Sequence, residues 1–203
     1  MATTTLPTTL ARIKPGDLIG FSGRSLLAHA INLGSLGVPF LGLSHVGIVG
    51  HLGYDLVLYE STTTVDDMPC LVRGEVVTGV QCHPIADRVE AFSGRVWHYP
   101  LRRPLPAEQA KWLAHRLESL CLNACPYDYI GAWNSRSMLI ALAMRAKFGK
   151  EDLREVFCSE MVAHEWAAMN ILKTWNASRW NPNGLARYAV RHGITHKPTE
   201  VVQ

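Results

Sequence analysis

The sequence predicts an α+β fold, in which an antiparallel β-sheet or barrel from the first half of the chain packs against a helical second half. Three observations support this class. Between residues 16 and 101, short segments rich in Val, Ile and aromatics alternate with turn formers, as in a β-meander. From Pro106 onward, apolar residues recur at helical intervals instead. With 203 residues, 48% hydrophobic and 18% charged, the chain has the apolar content to bury a core and lacks the polar bias of a disordered one. That length fits one domain spanning 1–203, with 1–13 and 193–203 as peripheral tails.

The elements follow in order. "GDLIGFSG", from Gly16, is an apolar run bounded by glycines and reads as a strand; "RSLLAHAINLG", from Arg24, spaces its apolar residues as a short helix with a Gly stop. "SHVGIVG" (44–50), "YDLVLYE" (54–60), "GVQCHPI" (79–85) and "RVWHYPL" (95–101) are the remaining strands of one antiparallel sheet. "PAEQAKWLAHRLESLC" then opens with proline and an early acid and carries Trp112, Leu113, Leu117 and Leu120 at helical spacing. Pro126 breaks this helix, and residues 136–148 and 157–172 give two further helical segments before a tail rich in Trp, Asn and Pro.

Composition narrows the partners. The net charge of +3 comes from scattered basic residues without interleaved aromatics, which argues against nucleic acid. The Thr-rich start lacks a secretory h-region, and "SMLIALAMRAKFG" is too short to cross a bilayer, so the expectation is a cytoplasmic protein without integral membrane association. Delivery by lysis or within a phage particle is the other route kept open. The five cysteines at 70, 82, 121, 125 and 158 show no paired CxxC spacing, and Cys82 beside His83 lacks the second ligand cluster of a zinc site. Free thiols, no metal and no organic cofactor are therefore expected, with Cys121 and Cys125 as small buried hydrophobes.

Two polar residues stand out in the strands. A period of two puts His45, Gly47 and Val49 on one face and Val46 and Ile48 on the other. A two- or four-residue loop within "HLGY" turns Glu60 to the face of His45, directly opposite it if the loop has four residues. A carboxylate there would orient the imidazole and stabilise its protonated form. The competing reading makes His45 a structural histidine and Glu60 a cap for the "STTT" turn. Cys158, in "EVFCSEMVAHEW", begins a helical stripe, where unpaired N–H groups and the macrodipole favour thiolate. Taken alone, it is equally a buried helix-start residue. The other histidines, His83, His98 and His164 among them, have no comparable partner in sequence, and His164 is expected on the helix surface.

In order, "GDLIGFSGRSLLAHAI", "SHVGIVG", "LYESTTT", "GVQ", "PYDYIG", "FCSEMVAHEW" and "NPNGLARY" resemble the circularly permuted NlpC-type cysteine amidases and peptidases, the YiiX-like branch of papain-like folds. The resemblance spans roughly Gly16 to Tyr188. It implies a permuted papain-like fold in which the sheet bearing the base precedes the helix bearing the nucleophile. It implies Cys158 as nucleophile, His45 as general base and Glu60 as its orienting group, with Tyr127 beside the oxyanion site; Tyr129, two residues on, is the other tyrosine that could face it. The backbone N–H of Cys158 is the natural oxyanion donor, and Ser159 and Glu160 are structural. The implied activity is hydrolysis of a peptide, isopeptide or N-acyl amide through a thioester, on a small-molecule, peptide or acyl substrate such as a peptidoglycan-type peptide. A thiol acyltransferase or lipase acting on lipid acyl groups is the second possibility, with "LGSLGVPFLGL" (33–43) as a possible acyl groove, and a non-catalytic interaction domain is the third.

Overall fold

A computed structural model of the chain describes residues 10–23, 42–62, 68–125, 158–174 and 176–201. The described strands are β1 (Leu18–Gly23), β2 (His45–Leu52), β3 (Asp55–Thr62), β4 (Gly79–Pro84), β5 (Gly94–Tyr99) and β6 (Thr199–Val201). The described α-helices are α1 (Ile85–Glu90), α2 (Ala107–Leu122), α3 (Cys158–Ala168) and α4 (Pro182–Arg191). The strands form one six-stranded sheet in the order β4-β3-β2-β1-β5-β6, with every neighbouring pair antiparallel. The α+β class therefore holds. The sheet is open, with β4 and β6 at its edges, and this settles the choice between sheet and barrel.

The four strands β1 to β4 lie side by side in chain order, each antiparallel to the one before it. Between β2 and β3 the connection is the two-residue turn Gly53-Tyr54, where Leu52 pairs with Asp55 and Gly53 takes φ +60°, a conformation that costs glycine little. The chain then leaves this pattern. From β4 it crosses to the far side of β1 through α1, and β5 pairs with β1 from Leu18↔Tyr99 to Gly23↔Gly94. Residues 193–203, expected to be a peripheral tail, supply β6: Val201 pairs with Val96 and is buried.

Strand alternation divides the apolar side chains between two faces. Leu18, Val46, Ile48, Val57, Tyr59, Val80 and Cys82 meet α2, α3 and α4 in one core. Ile19, Phe21, Val49, Leu58 and Val96 point the other way and are covered by Ile85 and Val89 of α1, with Ile13 and Phe92. On α2 the buried set is Leu113, Leu117 and Cys121, at i, i+4 and i+8, and each fully buried leucine contributes about 1.5–3 kcal/mol. Trp112 lies outside that stripe and is 41% exposed, with the Arg116 guanidinium 5.6 Å from its ring. Helix α3 lies along β2, where the Trp166 indole N–H donates to the Gly16 carbonyl at 3.0 Å.

The "NPNG" stretch explains how α4 starts. Asn181 caps it by accepting from the Gly184 N–H at 2.7 Å, and Pro182 occupies its first turn. Buried Asn183 accepts from the Leu43 N–H at 2.7 Å and donates to the Leu43 carbonyl at 2.9 Å. This two-point contact ties the segment just ahead of His45 to the second half of the chain. Leu43 itself is a core residue, while 33–41 and the helices expected at 24–34 and 136–148 fall outside the described residues.

Candidate active site

The site is assembled where β1 ends, β2 begins and α3 begins. His45 is the first residue of β2, and Glu60 lies near the end of β3. The pairing of Leu52 with Asp55, continued along the strands, sets Glu60 against Gly47 and not against His45. The two side chains still share a face, because the shift is two residues and the side-chain period is two. They meet diagonally: His45 Nε2 lies 2.7 Å from Glu60 Oε2. Gly47 has no side chain to intervene, and a Cβ there would meet Leu58 Cδ1 and the Tyr59 carbonyl at 2.8 Å.

Glu60 is fully buried, and its charge is balanced from a second side. The Arg88 Nε donates to Glu60 Oε1 at 2.6 Å and Nη2 to Oε2 at 3.3 Å. Burial alone would raise the Glu60 pKa. The hydrogen bond from His45 and the charge of Arg88 outweigh that and bring it down to about 2. Arg88 also stacks at 4.6 Å over the Phe21 ring and at 5.5 Å over Phe92. Phe21 also approaches the imidazole, with ring centroids 5.6 Å apart. Sequence reasoning missed Arg88. Its one signal is spacing: Ile85, Arg88 and Val89 form the buried face of α1, so a single guanidinium sits in an otherwise apolar stripe.

The third member arrives from the helical half. Cys158 is the first residue of α3 and is buried, with its sulfur hydrogen-bonded to His45 and to backbone groups of Val46 and Ser159. With Nε2 engaged by Glu60, Nδ1 is the nitrogen left to face the thiol. Burial would raise the Cys158 pKa, but the imidazolium charge and these hydrogen bonds lower it below the usual thiol value. Burial likewise works against a charged His45, yet the thiolate and Glu60 together raise its pKa to about 9. The favoured state is a thiolate–imidazolium pair. The His45 side chain keeps 16% of its surface exposed, so the pair is open to solvent on the imidazole side.

The residues after the cysteine are anchored. The Ser159 hydroxyl donates to the Trp180 carbonyl at 2.6 Å, and the Ser178 hydroxyl donates to Glu160. Tyr127 and Tyr129 lie outside the described residues.

Several histidines thought to lack partners have them. His98 Nε2 is 2.7 Å from buried Asp17, whose other oxygen accepts from the Leu101 N–H at 2.8 Å. His164 is half-buried and contacts Glu165, which Arg116 also pairs. His83 meets Gln81 at 2.9 Å. Cys82 and His83, adjacent in β4, point to opposite faces of the sheet, so they cannot share a metal. Cys82 has different company: its sulfur and those of Cys70 and Cys121 all lie within 4.8 Å of one another. Positions 70, 82 and 121 form no recognisable ligand pattern, so nothing in their spacing announced this convergence.

No protein-family model matches the sequence, and no curated protein matches it. Among solved structures, the crystal structure of metalloprotein YiiX from Escherichia coli O157:H7 is similar, with 18% identity over 94% of this chain and 97% of that chain and a TM-score of 0.53. The chain shares its fold with YiiX. The likeness is one of architecture and meets the expectation drawn from the sequence motifs at that level. Among the described residues no helix is long and apolar enough to cross a membrane.

Proposed function

We propose that the chain is a cysteine hydrolase of the circularly permuted NlpC type that cleaves an amide bond, peptide, isopeptide or N-acyl, through a thioester. The observation that carries this reading is the line of interactions Arg88–Glu60–His45–Cys158, which ends on a thiolate at a helix N-terminus. A base held by a buried carboxylate and facing a nucleophile is the arrangement that acyl transfer requires. The order of parts, with the sheet bearing His45 ahead of the helix bearing Cys158, fits a permuted papain-like fold.

In this mechanism the Cys158 sulfur attacks the carbonyl carbon, and the C–S bond forms as the carbonyl electrons move onto oxygen. In this reading the Cys158 N–H donates to that oxyanion, and the family resemblance assigns Tyr127, which lies outside the described residues, to the same oxyanion site. The His45 proton passes to the leaving nitrogen as the C–N bond breaks. Water then gives a proton to His45 and attacks the thioester, the C–S bond breaks, and acid and thiolate are released. Cys158, His45 and Glu60 fill every role, so the route is written without a metal or cofactor. The single catalytic domain and cytoplasmic setting read from the sequence belong to the same proposal.

The test is intact-protein mass spectrometry with activated acyl esters and a panel of N-acyl amides and peptides. The expected result is an acyl adduct on Cys158, together with turnover of at least one amide class. Acylation of a different cysteine, or adducts with no amide turnover, would overturn the reading.

A further inference from the structure

The described residues hold a second cysteine-based arrangement, on the helix-facing side of the sheet, whereas His45 and Glu60 lie on the opposite face. Cys70 precedes β4, Cys82 lies within β4 on its helix-facing side, and Cys121 lies in the last turn of α2. All three are fully buried, and their sulfurs converge within 4.8 Å of one another. From these positions we propose a three-thiolate site for a soft, thiophilic cation of the zinc(II) or copper(I) class.

Distance is the first support. A cation with Zn–S bonds of about 2.3 Å holds its ligand sulfurs about 3.8–4.0 Å apart, so sulfurs within 4.8 Å of one another close around an ion with shifts of about an ångström or less. The loop is the second. Cys70 begins a tight turn in which its N–H donates to the Glu75 carbonyl at 2.9 Å, its carbonyl accepts from the Gly74 N–H at 2.7 Å, and Gly74 takes φ +70°. This turn brings backbone N–H groups onto the Cys70 sulfur: that of Cys82 at 3.4 Å, and that of Arg73. Amides directed at sulfur favour thiolate, and a buried thiolate needs positive charge close by. The strongest neighbours of the three sulfurs are one another and backbone groups, none of them cationic. Tyr59, Val80, Leu113 and Leu117 belong to the same core, which favours soft sulfur coordination over an aquated hard ion.

The inference is independent of the hydrolase reading, and its test is kept separate from activity. Protein purified under reducing conditions, and chelator-stripped protein reconstituted anaerobically with zinc(II) or copper(I), are analysed for metal content. About one ion per chain is expected, and the preferred ion names the class member. His45→Ala should retain it, because that residue lies at the other site. Removing a group that merely hydrogen-bonds a metal ligand costs about 10–100-fold in affinity, so losing a ligand itself in Cys82→Ser should weaken binding by more than about a hundredfold. If that variant does not fold, wild-type protein serves: Cys70, Cys82 and Cys121 should resist alkylation until a chelator is added, while Cys158 labels with or without it. No bound or reconstitutable metal, a disulfide among the three, metal lost in His45→Ala, or chelator-independent labelling would each overturn the site.

Discussion

Cys158 and the Cys70–Cys82–Cys121 group are all buried cysteines, yet the fold gives them opposite surroundings. Cys158 meets an imidazole that is itself held by Glu60 and Arg88, and that imidazole keeps a solvent-facing edge. For the other three the strongest electrostatic neighbours are one another and backbone groups, inside a core closed by α2 and the sheet. Burial of a thiol therefore says little about its chemistry. The identity and orientation of its nearest charged neighbour decide between a nucleophile and a ligand.

The sharpest way to break this contrast is to remove one sulfur from each group. Cys158→Ala should lower kcat/KM on any amide the protein turns over by at least about a thousandfold, with the fold kept by circular dichroism. Cys82→Ser, where it folds, should leave kcat within a few fold. Equal losses from both would dissolve the distinction.

Next in size is the pair behind the imidazole. Arg88→Met leaves the fully buried Glu60 carboxylate with His45 as its remaining charged side-chain partner and should cost about 3 kcal/mol in denaturant unfolding. Glu60→Gln keeps the shape but loses the charge, and should lower kcat roughly a hundredfold. The pH dependence follows from the same groups. Glu60 has its pKa depressed from 4.5 to about 2, so it contributes stability above pH 4.5 that is lost as pH falls toward 2. His45, raised from 6.5 to about 9, contributes stability present below 6.5 and lost as pH rises through 9. Between those limits the opposite slope of Cys158 offsets it, because imidazolium plus thiolate binds the same one proton as imidazole plus thiol. Unfolding free energy should thus change less between pH 6.5 and 9 than His45 alone would dictate, while activity falls above about pH 9 as His45 loses the proton it gives to the leaving group. Urea titrations across pH, paired with rate profiles, measure both.

Labelling separates the two groups more finely. With iodoacetamide at pH 6, Cys158 should react first among the five cysteines, and His45→Ala should slow it at least about tenfold. Unchanged labelling in that variant would mean that the helix terminus alone activates the thiol.

Much of this was legible because it rests on local rules. Alternation placed His45 and Glu60 on one face whichever of the two loop lengths was used, and the five strands read from Gly16 to Leu101 correspond to β1–β5. Cys158 stands where the helical periodicity begins. What escaped depends on contacts that no local pattern encodes. Arg88 reaches Glu60 because the β4–β5 connection crosses the sheet through α1, a topological step that periodicity cannot report. The three-sulfur cluster needs a loop, a strand and a helix end to converge. β6 is too short to show a period, and Val201 is buried only because β5 offers an open edge.

The smallest predicted effect tests how the two halves are held in register. Asn183, two residues past the cap of α4, grips the backbone of Leu43 through both the oxygen and the nitrogen of its side-chain amide, two residues ahead of His45. Asn183→Ala would leave the buried Leu43 N–H and carbonyl without those partners, at a cost of about 1–3 kcal/mol in unfolding free energy. The chemistry should suffer less than the stability, since Cys158 and His45 are also joined through the Val46 backbone. A lower Tm with kcat reduced by less than about tenfold is the expected outcome. A loss of rate as large as that of Glu60→Gln would instead make Asn183 a positioning residue for His45, and would extend the active site to the start of α4.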